Sequence, residues 1–208
     1  MIKNIDFKQL ICYKINMKQT EITVRVFDSL ENILSTLKKQ NFEIVEDYFL
    51  NDFYFSKFAK NTLKTFDYET IMQNSFLVRE IKASENKTML VYKHKYIDKN
   101  NVVVEEEKVQ TQVSNLNATL EIFRLANLET WCELEQHIFV LKKENIEFCV
   151  SEIKDLGIFI EYEETEDMFK LKPYEKIKYM QNILKSLNLK LGSDFSCKKP
   201  YLKFKNNF

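Results

Sequence analysis

The chain has 208 residues, 31 basic and 31 acidic side chains, 45% hydrophobic content, two glycines and two prolines. That length buries a substantial core and that content excludes a disordered chain, while the balanced charge provides no net field to recruit nucleic acid or an anionic membrane. Cys12, Cys132, Cys149 and Cys197 form no Cys-x-x-Cys pair, and with only His94 and His137 as further soft ligands they read as reduced packing thiols. No signal peptide opens the chain, and no apolar run approaches the roughly 20 residues of a membrane helix, so a cytoplasmic protein is expected.

In chain order, residues 10–15 fit a short strand or a short helix equally. Residues 20–27 alternate, with Ile22, Val24 and Val26 on one face and Glu21, Thr23 and Arg25 on the other. Asp28-Ser29 offers a cap for a helix through residue 40, where Leu30, Ile33, Leu34 and Leu37 recur at helical spacing. A strand-like stretch follows at 42–55, then a connecting helix at 56–73.

Strands are predicted at 76–83, 87–97 and 102–113, the last two joined by a polar turn, and a helix at 115–126 carries Leu116, Leu120 and Phe123. A hairpin at 131–142 and 146–151 leads into Lys154-Asp155-Leu156-Gly157 and an alternating strand. There Ile158 and Ile160 point one way and Phe159, Glu161 and Glu163 the other. Pro173 opens a helix that stops before Gly192, and the lysine-rich tail from Cys197 reads as solvated. Trp131 reads as an edge packing residue, Tyr92 and Tyr162 pack outside any lumen, and the two histidines are strand or surface residues.

This order predicts an α+β fold, one domain over 1–208 with its core at about 20–165 and a helix and tail at 173–208. The aliphatic strand faces are opposed by Glu21, Arg25, Arg79, Lys93, Lys95, Glu105, Glu107, Glu161 and Glu163. In an open sheet these side chains are a solvated face. In a closed one they line a lumen, where each charge must be paired or must hold a ligand. Lysine and arginine suit phosphate oxygens, and carboxylates suit Mg²⁺ or Mn²⁺ bridging to those oxygens. No glycine-rich phosphate loop is present, which excludes a P-loop mechanism.

On these residues the sequence resembles the CYTH domains, or triphosphate tunnel metalloenzymes, which include class IV adenylate cyclases and thiamine triphosphatases. Glu21-Ile22-Thr23-Val24-Arg25 is similar to that family's Glu-x-Glu-x-Lys strand, and Asp52-Phe53-Tyr54-Phe55 to its Asp-x-Tyr-Phe element. Leu77-Val78-Arg79-Glu80 resembles the Arg-x-Arg strand and Leu90-Val91-Tyr92-Lys93 the Leu-Thr-Tyr-Lys strand. Val150 through Glu163 matches a Leu-Asp-x-Val-x-x-Leu-Gly-x-Phe-x-Glu-x-Glu pattern at nearly every place.

The resemblance implies a closed eight-stranded antiparallel barrel with flanking helices, a monomer or homodimer, and a nucleotide or inorganic triphosphate as ligand. It implies Mg²⁺ or Mn²⁺ on Glu21, Glu161 and Glu163, with phosphate held by Arg25, Arg79, Lys93 and Lys95. The expected activity is cyclisation of ATP to cyclic AMP and pyrophosphate, or triphosphate hydrolysis. The departures are Thr23 and Ser151 at carboxylate positions, Leu77 at an arginine position, and no basic residue over 133–137. The Arg-x-Glu-x-Glu strand matches loosely at Val103 through Glu107, or, shifted by three, at Lys108 and Gln110. Each lost cation removes a charge-assisted bond of roughly 1.5–3 kcal/mol, so binding without turnover is the alternative reading.

Overall fold

The computed structural model describes residues 18–100 and 102–206; the segment 10–15 lies outside them. The strands are β1 (Lys18–Gln19), β2 (Glu21–Val26), β3 (Glu43–Ser56), β4 (Ser75–Lys82), β5 (Lys87–Ile97), β6 (Val103–Val113), β7 (Glu129–Lys143), β8 (Ile146–Ile153) and β9 (Gly157–Glu163). The helices are α1 (Leu30–Lys39), α2 (Lys60–Leu63), α3 (Tyr68–Gln73), α4 (Leu116–Leu125), α5 (Pro173–Lys185) and α6 (Lys199–Asn206). No helix among the described residues is long and apolar enough to cross a membrane.

All strand pairings are antiparallel, in the order β1-β6-β5-β4-β3-β7-β8-β9-β2. Only Thr20 separates β1 from β2, so the two ends of that order meet in a nearly closed barrel. Among the described residues there are nine strands rather than the eight expected because the first breaks at Thr20: its first part pairs with β6 and its second with β9. Beyond the break the C-terminal segment runs alongside β2. Thr23 N donates to Phe195 O at 3.1 Å, Cys197 N donates to Thr23 O at 3.0 Å, and Gly192 N donates to Arg25 O at 2.8 Å. On the β6 side, Val103 N donates to Ser196 Oγ at 3.0 Å.

Much of the apolar core lies outside the barrel. Ile22, Val24 and Val26 face away from the lumen and pack with Ile33 and Leu37 of α1 and Ile177, Met180 and Leu184 of α5. Tyr162 is buried in this layer, outside the lumen as expected. Ser29 starts α1, its Oγ accepting from Asn32 N at 3.3 Å. A second cluster joins Tyr54, Leu77, Val91, Leu134 and Phe159 to Leu63, Tyr68 and Ile71 of α2 and α3 and Phe204 of α6. Trp131 lies at the register shift of β7 against β3 and joins this cluster, its Nε1 donating to Ser75 Oγ at 3.0 Å.

The helix after Pro173 stops before Gly192 as expected, at Lys185, and Asn188, at φ 55°, turns the chain away. Two expectations are corrected. The connecting helix over 56–73 is two short helices, because Asp67 Oδ1 accepts from Thr70 N at 2.8 Å and restarts the helix there. The tail is not merely solvated, since it bonds along Thr23 and then forms α6.

Gly157 sits at φ +112°, and a Cβ built there would lie 3.1 Å from Arg25 Nη2. Both facts oppose any side chain. Gly157→Ala is therefore expected to destabilise the fold by roughly 1–3 kcal/mol, read as a lower urea midpoint; an unchanged midpoint would show that the turn relaxes freely.

Candidate functional site

Strand alternation sends one set of side chains into the lumen, and cross-strand register brings them level. Asp52 of β3 lies opposite Arg79 of β4, Lys93 and Lys95 of β5 opposite Lys108 and Glu106 of β6, and Glu21 of β2 opposite Glu163 of β9. Gln136 of β7, Ser151 of β8 and Glu161 of β9 complete the belt, and Lys199 enters it from α6. Part of the belt opens into a cavity of about 170 Å³ lined by Arg79, Gln136, Ser151, Glu161, Glu163 and Lys199, with Tyr48, Leu50, Ile138 and Val140 at its apolar edge.

Most of these charges are already engaged. Arg79 grips Asp52 through two bonds of 2.7 Å, and Gln136 Nε2 donates to the same carboxylate at 3.3 Å. Glu106 bridges Lys93 at 3.1 Å and Lys95 at 2.7 Å, and Glu21 lies 3.9 Å from Lys93. Lys199 contacts Glu161 and donates to Gln136 Oε1 at 2.9 Å. Thr23 Oγ1 donates to Glu21 at 3.3 Å and Ser151 Oγ to Glu161 at 3.1 Å, so the two hydroxyls at expected carboxylate positions support the remaining acids.

The electrostatics divide the belt in two. Burial opposes the charges of Arg79, Lys93 and Lys95, but Asp52 and Glu106 override it and hold these cations above their usual range. Burial also opposes the Glu106 carboxylate, which Lys93 and Lys95 nevertheless hold well below its usual range. The second group is under-compensated. Glu163 is raised by burial and then by Glu21, and Lys108 is lowered by burial and then by Lys93 and Arg79. Lys199 is pulled down to about 7, chiefly by burial, with Glu21 and Asp52 opposing. The belt thus holds a carboxyl shifted toward its neutral form and ammonium groups shifted toward theirs, with Glu163 and Lys199 on the wall of one cavity.

Of the residues singled out in the sequence, Glu21, Arg79, Lys93, Lys95, Glu161 and Glu163 converge in this belt. Arg25 does not join them. Its Nη2 donates to Leu156 O at 2.8 Å, and it lines a separate hollow of about 800 Å³ with Phe49, His137 and Gly157. Glu105 and Glu107 are corrected: they face away from the lumen, and Glu106, 3% exposed, is the inward acid, in phase with Lys108 and Gln110. Asp52, Glu106, Gln136 and Lys199 carry no role in the sequence reading. The signal available for Lys199 was Pro200 behind it, a residue that suits a helix's first turn.

Among the described residues no group of three or more His, Cys, Asp or Glu side chains is assembled in metal-binding geometry. The donor chemistry still fits a hard cation: Glu21 and Glu163 are paired across strands, and Glu163 is raised above its usual range by burial and then by Glu21, a repulsion that a cation between them relieves. Mg²⁺ is commonly held by one or two carboxylates, completing its shell with water and substrate phosphates.

No family model matches the chain. It is 23% identical over 189 residues, 91% of this chain and 99% of the relative, to a Methanocaldococcus jannaschii protein named "Putative adenylate cyclase". In structure it is similar to the PH1819 protein of Pyrococcus horikoshii, with a TM-score of 0.66, 15% identity and coverage of 91% of this chain and 98% of that one. It is also similar to a Vibrio parahaemolyticus protein described as a "putative adenylate cyclase", with a TM-score of 0.58, 16% identity and coverage of 84% and 90%.

Proposed function

We propose that this chain, whose motifs, barrel and similarities fit the CYTH, class IV adenylate cyclase-like superfamily, binds a nucleoside triphosphate with Mg²⁺ or Mn²⁺ in its tunnel and catalyses phosphoryl chemistry on it. The observation that carries this reading is the meeting of acids and cations in one belt. Glu21, Glu161 and Glu163 stand on β2 and β9 and Arg79, Lys93, Lys95 and Lys108 on β4, β5 and β6, and a metal–triphosphate engages both sets at once.

In this reading Glu21 and Glu163 hold the metal, with Glu161 joining them. Arg79, Lys93, Lys95 and Lys108 take the phosphate oxygens, the first three already oriented by Asp52 and Glu106. A bound divalent ion supplies charge neutralisation on the phosphates and activation of the attacking oxygen. The name of the Methanocaldococcus relative favours attack by the ribose 3′-oxygen on the α-phosphorus, which breaks the bond from that phosphorus to the bridging oxygen, releases pyrophosphate with that oxygen and passes the hydroxyl proton to water. Attack by water is the hydrolytic form of the same chemistry.

A second reading, binding without turnover, is favoured by Thr23 and Ser151, which stand where the resemblance calls for carboxylates. The test is purified protein with ATP, inorganic triphosphate or thiamine triphosphate in Mg²⁺ or Mn²⁺, with cyclic AMP, pyrophosphate and phosphate as readouts. Turnover is expected, and Glu163→Gln is expected to reduce it by about a hundredfold, the scale of removing one preorganised electrostatic contact. Heat of metal-dependent triphosphate binding without product would select the second reading, and no binding at all would remove both.

A further inference from the structure

The C-terminal segment reaches the belt by a route that strand periodicity does not require. Its backbone bonds along Thr23, and α6 then begins at Lys199, whose side chain turns into the cavity. The ammonium contacts Glu161 and donates to Gln136 Oε1 at 2.9 Å, while Ser151 Oγ donates to Glu161 at 3.1 Å. A carboxylate, an amide oxygen and a hydroxyl form an oxygen-rich environment of the kind a hard divalent cation accepts. The rest of α6 is held in place: Phe204 packs 5.3 Å from Trp131, and Lys203 donates to Lys154 O at 2.7 Å. The helix is thus anchored, and a long flexible stem carries the charge.

We propose that Lys199 is a tethered cation that occupies Glu161 until a phosphate-bearing ligand draws its ammonium away, so that phosphate and metal enter together. The inference rests on the metal–triphosphate reading above. An ammonium and a divalent ion at contact distance from the same carboxylate repel each other strongly in a buried site. An incoming phosphate meets Arg79 and Lys199 on the wall of one cavity. The ammonium exchanges Glu161 for a phosphate oxygen, no covalent bond changes, and the freed carboxylate becomes available to the metal. Each ligand thereby assists the other reciprocally.

The test is calorimetry on the full chain with Mn²⁺ alone and with inorganic triphosphate alone. Lys199→Met is expected to bind Mn²⁺ about ten- to hundredfold more tightly than the wild type and inorganic triphosphate weaker by a similar factor. A merely structural lysine does not move the two affinities in opposite directions. Lys199→Gln, which keeps a hydrogen-bond donor without charge, carries the same expectation should the methionine variant fold poorly. Lys203→Met, which removes a charge from the same helix at Lys154 and Asp155, is expected to leave both affinities unchanged. If the wild type binds both probes and neither Lys199 variant gains Mn²⁺ affinity, the tethered-cation inference fails while the underlying reading stands. A wild type that binds neither probe, alone or together, overturns both.

Discussion

Glu106→Gln is expected to destabilise the protein by about 3–5 kcal/mol, because it leaves two buried ammonium groups without their shared partner. Glu106 is 3% exposed and lies 3.1 Å from Lys93 and 2.7 Å from Lys95, while Glu21 stands farther off, at 3.9 Å from Lys93. Urea unfolding measures the loss. The triple variant that also converts Lys93 and Lys95 to methionine is expected to recover most of it, since an apolar replacement of a buried ion pair is often neutral. A single variant with the wild-type midpoint would show that water reaches both lysines.

The pH dependence follows from the direction of each shift. The Glu106 carboxyl is lowered in the folded state, so its contribution is present above the ordinary value of 4.5 and is lost as pH falls below it. Lys93 and Lys95 are raised, so theirs is fully present below the ordinary value of 10.5 and is lost as pH rises through the folded values. The stability difference between the wild type and Glu106→Gln is therefore expected to be flat around neutrality and to shrink at acid pH. Glu163, raised in the folded state, works in the opposite sense on the acid side.

Arg79→Met is expected to remove ligand binding and stability together. The change leaves Asp52, 2% exposed, with Gln136 as its remaining side-chain donor, at a cost of about 3–5 kcal/mol. It also removes a guanidinium from the cavity wall, worth about ten- to hundredfold in affinity for inorganic triphosphate in the presence of Mn²⁺. The double variant Arg79→Met with Asp52→Asn separates the two roles. It is expected to unfold near the wild-type midpoint, because no charge is stranded, and still to bind the ligand poorly in calorimetry. Wild-type affinity in that double variant would make Arg79 a structural partner of Asp52 alone.

The barrel was legible wherever aliphatic residues alternate with charges. In β2 and β9, Ile22, Val24, Ile158 and Ile160 fix which way Glu21, Glu161 and Glu163 point. In β6, three consecutive glutamates follow two consecutive valines, so no local pattern sets the phase. Pairing of Lys95 with Glu106 on the neighbouring strand decides it. Arg25 has the correct phase but stands at the level of Phe159 and Leu156, where the lumen is filled and a carbonyl takes its guanidinium. Lys199 was illegible for a different reason. Its place depends on a backbone strip bonded to Thr23, a contact between parts of the chain more than 170 residues apart that no short-range periodicity encodes.

The break at Thr20 means that the wall has a seam running through a single strand. On one side of it the two-residue β1 ladder zips onto β6. On the other, Glu164 N donates to Thr20 O at 2.9 Å, and the Glu164 carboxylate accepts from Thr20 N at 2.9 Å and from Lys176 of α5 at 2.7 Å. Among the described residues this two-residue ladder is the shortest pairing in the wall, far shorter than the β3–β7 ladder. The weakest line of the wall thus runs beside Glu106, the partner of Gln19, with Lys176 of α5 holding its other side through Glu164.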